Sequence, residues 1–156
     1  MFHGFKEVEE RIRKELEAGK SIVQILSTGA KHFVTACYQK GNKDVVVYDS
    51  LGMPVTKQLG QQLARLFGQK GSVKIRKIKV QMQERGSNNC GFFAAAYMAD
   101  ICFGNTVEGA VYVRCEAQRA WFASVITTGI LKPCPRLENK PARFYETSPY
   151  EASFSG

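Results

Sequence analysis

The chain has 156 residues, 44% hydrophobic and 23% charged, which suits a single domain with a sizeable core. Its formal net charge of +8 allows an acidic protein partner; no nucleic-acid-binding motif accompanies the charge, so DNA or RNA is not the expected partner. There is no long apolar run, no apolar leader and no Cys-x-x-Cys pair among the 5 cysteines, so the expectation is an intracellular protein, nuclear or cytoplasmic, without a membrane span, zinc site, disulfide framework or cofactor.

Residues 5–18 carry Phe5, Val8, Ile12 and Leu16 at helical spacing and run into Gly19, which predicts a surface helix. Residues 21–27 hold Ile22, Val23, Ile25 and Leu26 and read as a buried strand, followed by a turn at 28–31. Residues 32–38 and 44–49 are strand formers on either side of Gly41-Asn42, a hairpin signal. Turn length decides what this hairpin brings together. A two-residue turn at Gly41-Asn42 sets His32 opposite Leu51 and makes Asp49 its diagonal neighbour, roughly 7–8 Å away. A two-residue turn at Lys40-Gly41 sets His32 directly opposite Asp49. A three-residue turn puts the two on opposite faces unless a bulge intervenes.

Residues 57–68 place Leu59, Leu63, Leu66 and Phe67 on one helical face. Residues 72–82 read as a strand whose alternation slips between Ile75 and Ile78, predicting a bulge or a break. Lys74, Arg76, Lys77 and Lys79 form a basic stripe on it, suited to edge protection or to docking an acidic protein surface. A polar loop then leads to Cys90-Gly91 and an apolar run to Phe103, interrupted only by Asp100 and closed by Gly104-Asn105. That pattern predicts a helix buried on most sides with Cys90 as its first residue. The positive end of the helix dipole favours thiolate at such a position. Residues 106–113 read as a loop or short extended segment and 114–129 as a further helix. From Lys132 onward Pro133, Pro135, Pro141 and Pro149 break regular structure. The expected organisation is one domain over 1–135 and an irregular tail over 136–156.

Cysteine nucleophiles need a base within hydrogen-bond reach and a third group to orient that base. His32 is the one histidine outside the extreme N-terminus, and Asp49 ends the partner strand. Cys90, His32 and Asp49 therefore form a candidate nucleophile, base and orienter. Gln83 and Gln81 precede Cys90 closely enough to supply an oxyanion donor, as does the Cys90 backbone N–H. Arg85 adds a nearby positive charge. The competing assignments are a small buried cysteine, a strand-end histidine and a turn-starting aspartate.

The ordered segments His32-Phe33-Val34, Val47-Tyr48-Asp49-Ser50-Leu51, Val80-Gln81-Met82-Gln83 and Asn89-Cys90-Gly91-Phe92-Phe93 resemble the ubiquitin-like-protein-specific cysteine proteases, the SUMO-protease-like family. Gln24-Ile25-Leu26, Arg119-Ala120-Trp121-Phe122 and Gly129-Ile130-Leu131-Lys132-Pro133 look like its transposon-associated branch. The resemblance covers roughly residues 20–135. It implies an α+β, papain-like cysteine protease fold, with a central helix packed on a mostly antiparallel sheet. It also implies a thiol peptidase or isopeptidase that cuts after the Gly-Gly-type tail of a ubiquitin-like modifier, as in deSUMOylation. His32 would be the base, Asp49 the orienter, Gln83 the oxyanion donor and Cys90 the nucleophile, with Phe33, Asn89 and Gly91 lining the substrate path. Phe33 stands where the family has Trp, Asn89 where it has Asp, and the Gln83–Cys90 spacing is one residue longer, which keeps Gln81 as the alternative donor. The segment ahead of the motifs is short relative to the family. Two further readings accompany the resemblance: a protease-fold binding module without efficient turnover, in a transposon-derived protein, and an acyltransferase of the wider clan.

Overall fold

The computed structural model describes residues 3–42, 44–68, 71–137 and 151–155. The chain runs α1 (His3–Glu17), β1 (Ile22–Ser27), β2 (Phe33–Tyr38), β3 (Asp44–Tyr48), α2 (Lys57–Phe67), β4 (Ser72–Lys77), α3 (Cys90–Cys102), α4 (Cys115–Thr128) and β5 (Glu151–Ser155). The five strands form one sheet in that order. Neighbours are antiparallel except β3 and β4. Those two are parallel because α2 carries the chain back to the starting end of the sheet. The class is α+β with a mixed sheet.

Period-2 alternation divides the core between the two faces of the sheet. Val34, Ala36, Val45, Val47, Val73 and Ile75 join Leu59, Leu63, Leu66 and Phe67 of α2 and Ile12 of α1. Cys37, Val46 and Tyr48 face the other way, toward Phe93, Ala96 and Tyr97 of α3 and Trp121 of α4. The helix predicted from Cys90 begins there, and its buried Ala94, Ala95, Ala96 and Ala99 bring its backbone close to the sheet. One polar bond fixes the approach: Thr35 Oγ1 donates to the Ala94 carbonyl at 2.7 Å. Thr35 lies three residues after His32 and Ala94 four after Cys90, so this bond ties the two site-bearing elements together. Thr35→Val keeps the shape and removes the donor. It is expected to lower stability by about 1 kcal/mol in urea unfolding.

Asp100, which interrupts the apolar run of α3, is fully buried. It accepts hydrogen bonds from Tyr112 Oη (2.5 Å), Arg136 Nη2 (2.6 Å) and Asn105 Nδ2 (3.1 Å). Its charge is thus matched where an apolar residue stood to be expected.

Two expectations are corrected. The strand read over 72–82 ends at Lys77, so the slip in alternation is a break. The segment after 135 is not wholly irregular: Arg136 bridges to Tyr112, Leu137 N–H bonds the Val111 carbonyl at 2.7 Å, and β5 adds to β4. Residues 138–150 and 156 of that expected tail lie outside the described residues. Among the described residues no helix is long and apolar enough to cross a membrane.

Candidate active site

The hairpin register decides the first contact. Thr35 pairs with Tyr48 and Tyr38 with Val45. Continued outward, this is the register of a Gly41-Asn42 turn, which opposes His32 to Leu51 and makes Asp49 diagonal to His32. The side chains close the remaining gap. His32 Nε2 lies 2.6 Å from Asp49 Oδ1, with both residues buried. His32 follows Lys31, whose φ of 54° is left-handed and uncommon for a non-glycine residue. The His32 carbonyl is held by the Thr28 N–H at 2.9 Å.

Cys90 completes the group from α3. Its sulfur lies 4.0 Å from the carbonyl oxygen of Lys31, the residue before His32. With Nε2 turned to Asp49, the buried Nδ1 is the nitrogen left for Cys90; it has no conventional hydrogen-bond partner. Burial alone would lower the His32 pKa. The hydrogen bond to Asp49, with the nearby Cys90 and the charges of both, outweighs this and raises it above the ordinary imidazole value.

Asp49 is anchored from several sides. Oδ1 also accepts from the Leu51 N–H at 2.9 Å, and Oδ2 accepts from the Met53 N–H at 2.9 Å. Lys77 Nζ lies 3.7 Å from Oδ2 and donates to the Met53 carbonyl. Burial would raise the Asp49 carboxyl. Hydrogen bonds from His32 and the Leu51 N–H, then the charges of His32 and Lys77, outweigh it and hold the carboxyl below its ordinary value. The basic stripe is corrected here. Lys74 and Lys79 are exposed and Arg76 is half-buried, but Lys77 is only 4% exposed and turns inward to Asp49. Nor is β4 a sheet edge, since it lies between β3 and β5.

The two glutamines separate clearly. Gln83 is buried beside the end of β3. Its backbone N–H bonds the Ser50 carbonyl at 2.9 Å, its Oε1 accepts from Ser50 Oγ at 2.7 Å, and its Nε2 donates to the Ser87 carbonyl at 2.8 Å. A longer contact of 3.3 Å joins Nε2 to Ser87 Oγ. Gln81 is buried against the Tyr112 N–H, to which its Oε1 is bonded at 2.7 Å, and its carbonyl accepts from Tyr97 Oη. Tyr97 lies seven residues, two helical turns or about 10 Å, along α3 from Cys90. Arg85 is exposed in the loop. Ser50 and Lys77 are the two contributors that sequence reasoning did not single out. Ser50 was quoted only as part of a motif, and Lys77 was read as surface charge.

The first-turn N–H groups of α3 have no intrahelical acceptor. The Asn89 side chain makes no cap bond to them; its Oδ1 instead accepts from Arg119 Nη2 of α4 at 3.2 Å. Arg119 also lies over the Phe92 ring, 5.6 Å from its centroid, and Phe92 meets Phe122 edge-on at 5.4 Å. Cys90 opens onto a groove of roughly 600 Å³ lined chiefly by Ile25, Phe33, Gly91, Phe92, Ala95 and Phe122. Phe33 is 42% exposed, and a Cβ placed on Gly91 would lie 3.8 Å from its ring. The glycine thus leaves the groove floor at backbone level. Among the described residues no group of three or more His, Cys, Asp or Glu side chains is gathered to hold a metal ion.

The geometry can support acyl transfer through sulfur: a thiol beside an imidazole, a buried carboxylate on the far ring nitrogen, unpaired helix N–H groups and an apolar groove for the acyl portion. Comparison with protein-family models, with characterised proteins and with solved structures found no match to this chain.

Proposed function

We propose that the chain is a papain-like cysteine peptidase or isopeptidase that hydrolyses the bond following the Gly-Gly-type tail of a ubiquitin-like modifier. The observation that carries the reading is the buried His32–Asp49 pair at the head of α3, where the Cys90 sulfur lies 4.0 Å from the carbonyl oxygen of Lys31, the residue before His32. The ordered motifs shared with the ubiquitin-like-protein-specific proteases supply the substrate class. Cys90 gives its thiol proton to His32, its sulfur attacks the carbonyl carbon, and the carbonyl electrons move to an oxyanion. On its collapse the C–N bond breaks, and imidazolium His32 gives its proton to the departing amine. Neutral His32 then takes a proton from water, whose oxygen attacks the thioester. The C–S bond breaks, releasing the carboxylate and regenerating the thiol site. Asp49 holds the ring and favours its protonated form.

The Cys90 N–H and the Gln83 amide are the oxyanion donors in this reading. Ser50 fixes the carbonyl end of that amide, and the long contact from Nε2 to Ser87 Oγ is the one an oxyanion can replace. Gln83→Ala is expected to lower kcat about 100- to 1,000-fold with little change in KM. Gln81→Ala should leave kcat within a few-fold and instead lower the melting temperature. A steady-state comparison of the two variants checks the assignment, and the opposite pattern would move the role to Gln81.

The reading is tested with a panel of ubiquitin, SUMO and related modifiers carrying a C-terminal fluorogenic amide. Release of the fluorophore from at least one member, lost in Cys90→Ala, is the expected result. A folded protein that binds a modifier but cleaves none of the panel would contradict it in favour of a binding module.

A further inference from the structure

We propose that Lys77 is a positioning residue for the reaction: its ammonium shares the charge of Asp49 and clamps the turn that presents Asp49 to His32. The proposal rests on the Cys90-His32-Asp49 reading. It starts from where β4 places this side chain. Val73, Ile75 and Lys77 occupy successive inward positions of β4, so the residue that ends the strand points into the protein although it carries a charge. Taking an ammonium out of water is costly unless it is paired. Lys77 is 4% exposed, and Asp49 Oδ2 lies 3.7 Å from Nζ.

The clamp is reciprocal. Met53 donates its N–H to Asp49 Oδ2, and its carbonyl accepts from Lys77. Both backbone polar groups of Met53 are therefore held, and Asp49 Oδ1 is left directed at His32. Among the described residues the charged and titratable groups at the pair include His32 just ahead of β2 and Lys77 on β4, with Cys90 on α3 near His32. From the 51–56 loop and α2 the neighbours of His32 and Asp49 include Leu51, Met53, Pro54, Thr56 and Leu59, none of them charged.

A cation at this distance has a definite sign of effect. It favours the deprotonated form of every neighbour. It keeps Asp49 ionised in a buried site. By offsetting part of the carboxylate charge, it also limits how strongly Asp49 holds the proton on His32. The imidazole then remains able to give that proton up.

The test replaces the charge and reads pH, not rate alone. Alkylation of Cys90 by iodoacetamide, followed by peptide mass spectrometry, is measured from acid to alkaline pH in wild type, Lys77→Met and Lys77→Gln. Glutamine removes the charge while keeping a donor for the Met53 carbonyl, and it serves if the methionine variant does not fold. The His32 imidazole is titrated by NMR in the same proteins carrying Cys90→Ala. Removing the cation is expected to move the alkylation profile and the His32 titration together to higher pH, by about one unit. Profiles that keep their midpoints while rates or melting temperatures fall would reduce Lys77 to a structural residue and overturn the proposal. The wild-type protein gives a third measurement. The Lys77 Nζ resonance must report a charged ammonium across the pH range in which Cys90 reacts, and a neutral amine there would overturn the proposal without any variant. His32→Ala separates this failure from failure of the underlying reading. If that change leaves Cys90 alkylation unaltered, the Cys–His pair itself falls, and Lys77 with it. If it alters the profile and the Lys77 variants do not, only the role of Lys77 falls.

Discussion

Cys90→Ala is expected to abolish hydrolysis, and His32→Ala to lower kcat/KM about 1,000- to 10,000-fold. The two effects should not add, because the thiol and imidazole act as one unit; the double variant should be no slower than Cys90→Ala. Folding should survive both changes. Cys90 buries a small side chain at the head of α3, where the helix is held by its alanine face and by Thr35. His32 lies ahead of β2 at the sheet end, and its loss removes one bond to Asp49. Melting temperatures should therefore fall by a few degrees, far less than activity. Loss of activity accompanied by global unfolding would mean that the histidine is a structural residue.

Asp49 should behave differently, with a large effect on both stability and rate. Asp49→Ala removes the acceptor for His32 and for the Leu51 and Met53 N–H groups, and strips the buried Lys77 of a countercharge. A cost of about 3–5 kcal/mol follows from removing one partner of a buried, hydrogen-bonded ion pair. Asp49→Asn fills the same volume and keeps a carbonyl acceptor, so its stability loss should be smaller, while kcat still falls on the order of 10,000-fold because the imidazolium loses its counterion.

The pH dependence has two limbs of opposite origin. The folded-state pKa of Asp49 is lowered. Its contribution to stability is therefore present above the ordinary carboxylate range and is lost as pH falls through the folded value. The folded-state pKa of His32 is raised. Its contribution is fully present below the ordinary imidazole value and is lost as pH rises through the folded one. Urea unfolding across pH should show the pair most stabilising between these limits, and Asp49→Asn should flatten both limbs.

The sequence makes the elements more legible than their contacts. Apolar spacing marks α2, and the polar loop ending at Cys90-Gly91 marks the start of α3, because helix periodicity and helix ends are local properties. The His32–Asp49 contact depends on a turn whose length is written in a few residues around Gly41. A shift of one residue there would turn one partner to the other face. The backbone register selects the diagonal arrangement. Lys77 misled for a physical reason. A lysine at an inward strand position reads as a break in the hydrophobic alternation, and its explanation, Asp49, is remote in sequence. Gln81 and Gln83 are likewise indistinguishable by type, and only their partners, Tyr112 for one and Ser50 for the other, separate them. β5 is five residues long and follows a proline-containing stretch, so nothing local distinguishes it from a tail.

The central claim is that Cys90 is a nucleophile activated by His32. The most direct measurement is covalent capture by modifier probes with a C-terminal vinyl-sulfone or propargyl group, mapped to the residue by peptide mass spectrometry. A single adduct on Cys90 is expected with at least one modifier, absent in Cys90→Ala and strongly slowed in His32→Ala, while the exposed Cys102 and Cys115 remain unmodified. Capture that proceeds equally well in His32→Ala, or that falls on Cys102 or Cys115 in place of Cys90, would contradict it.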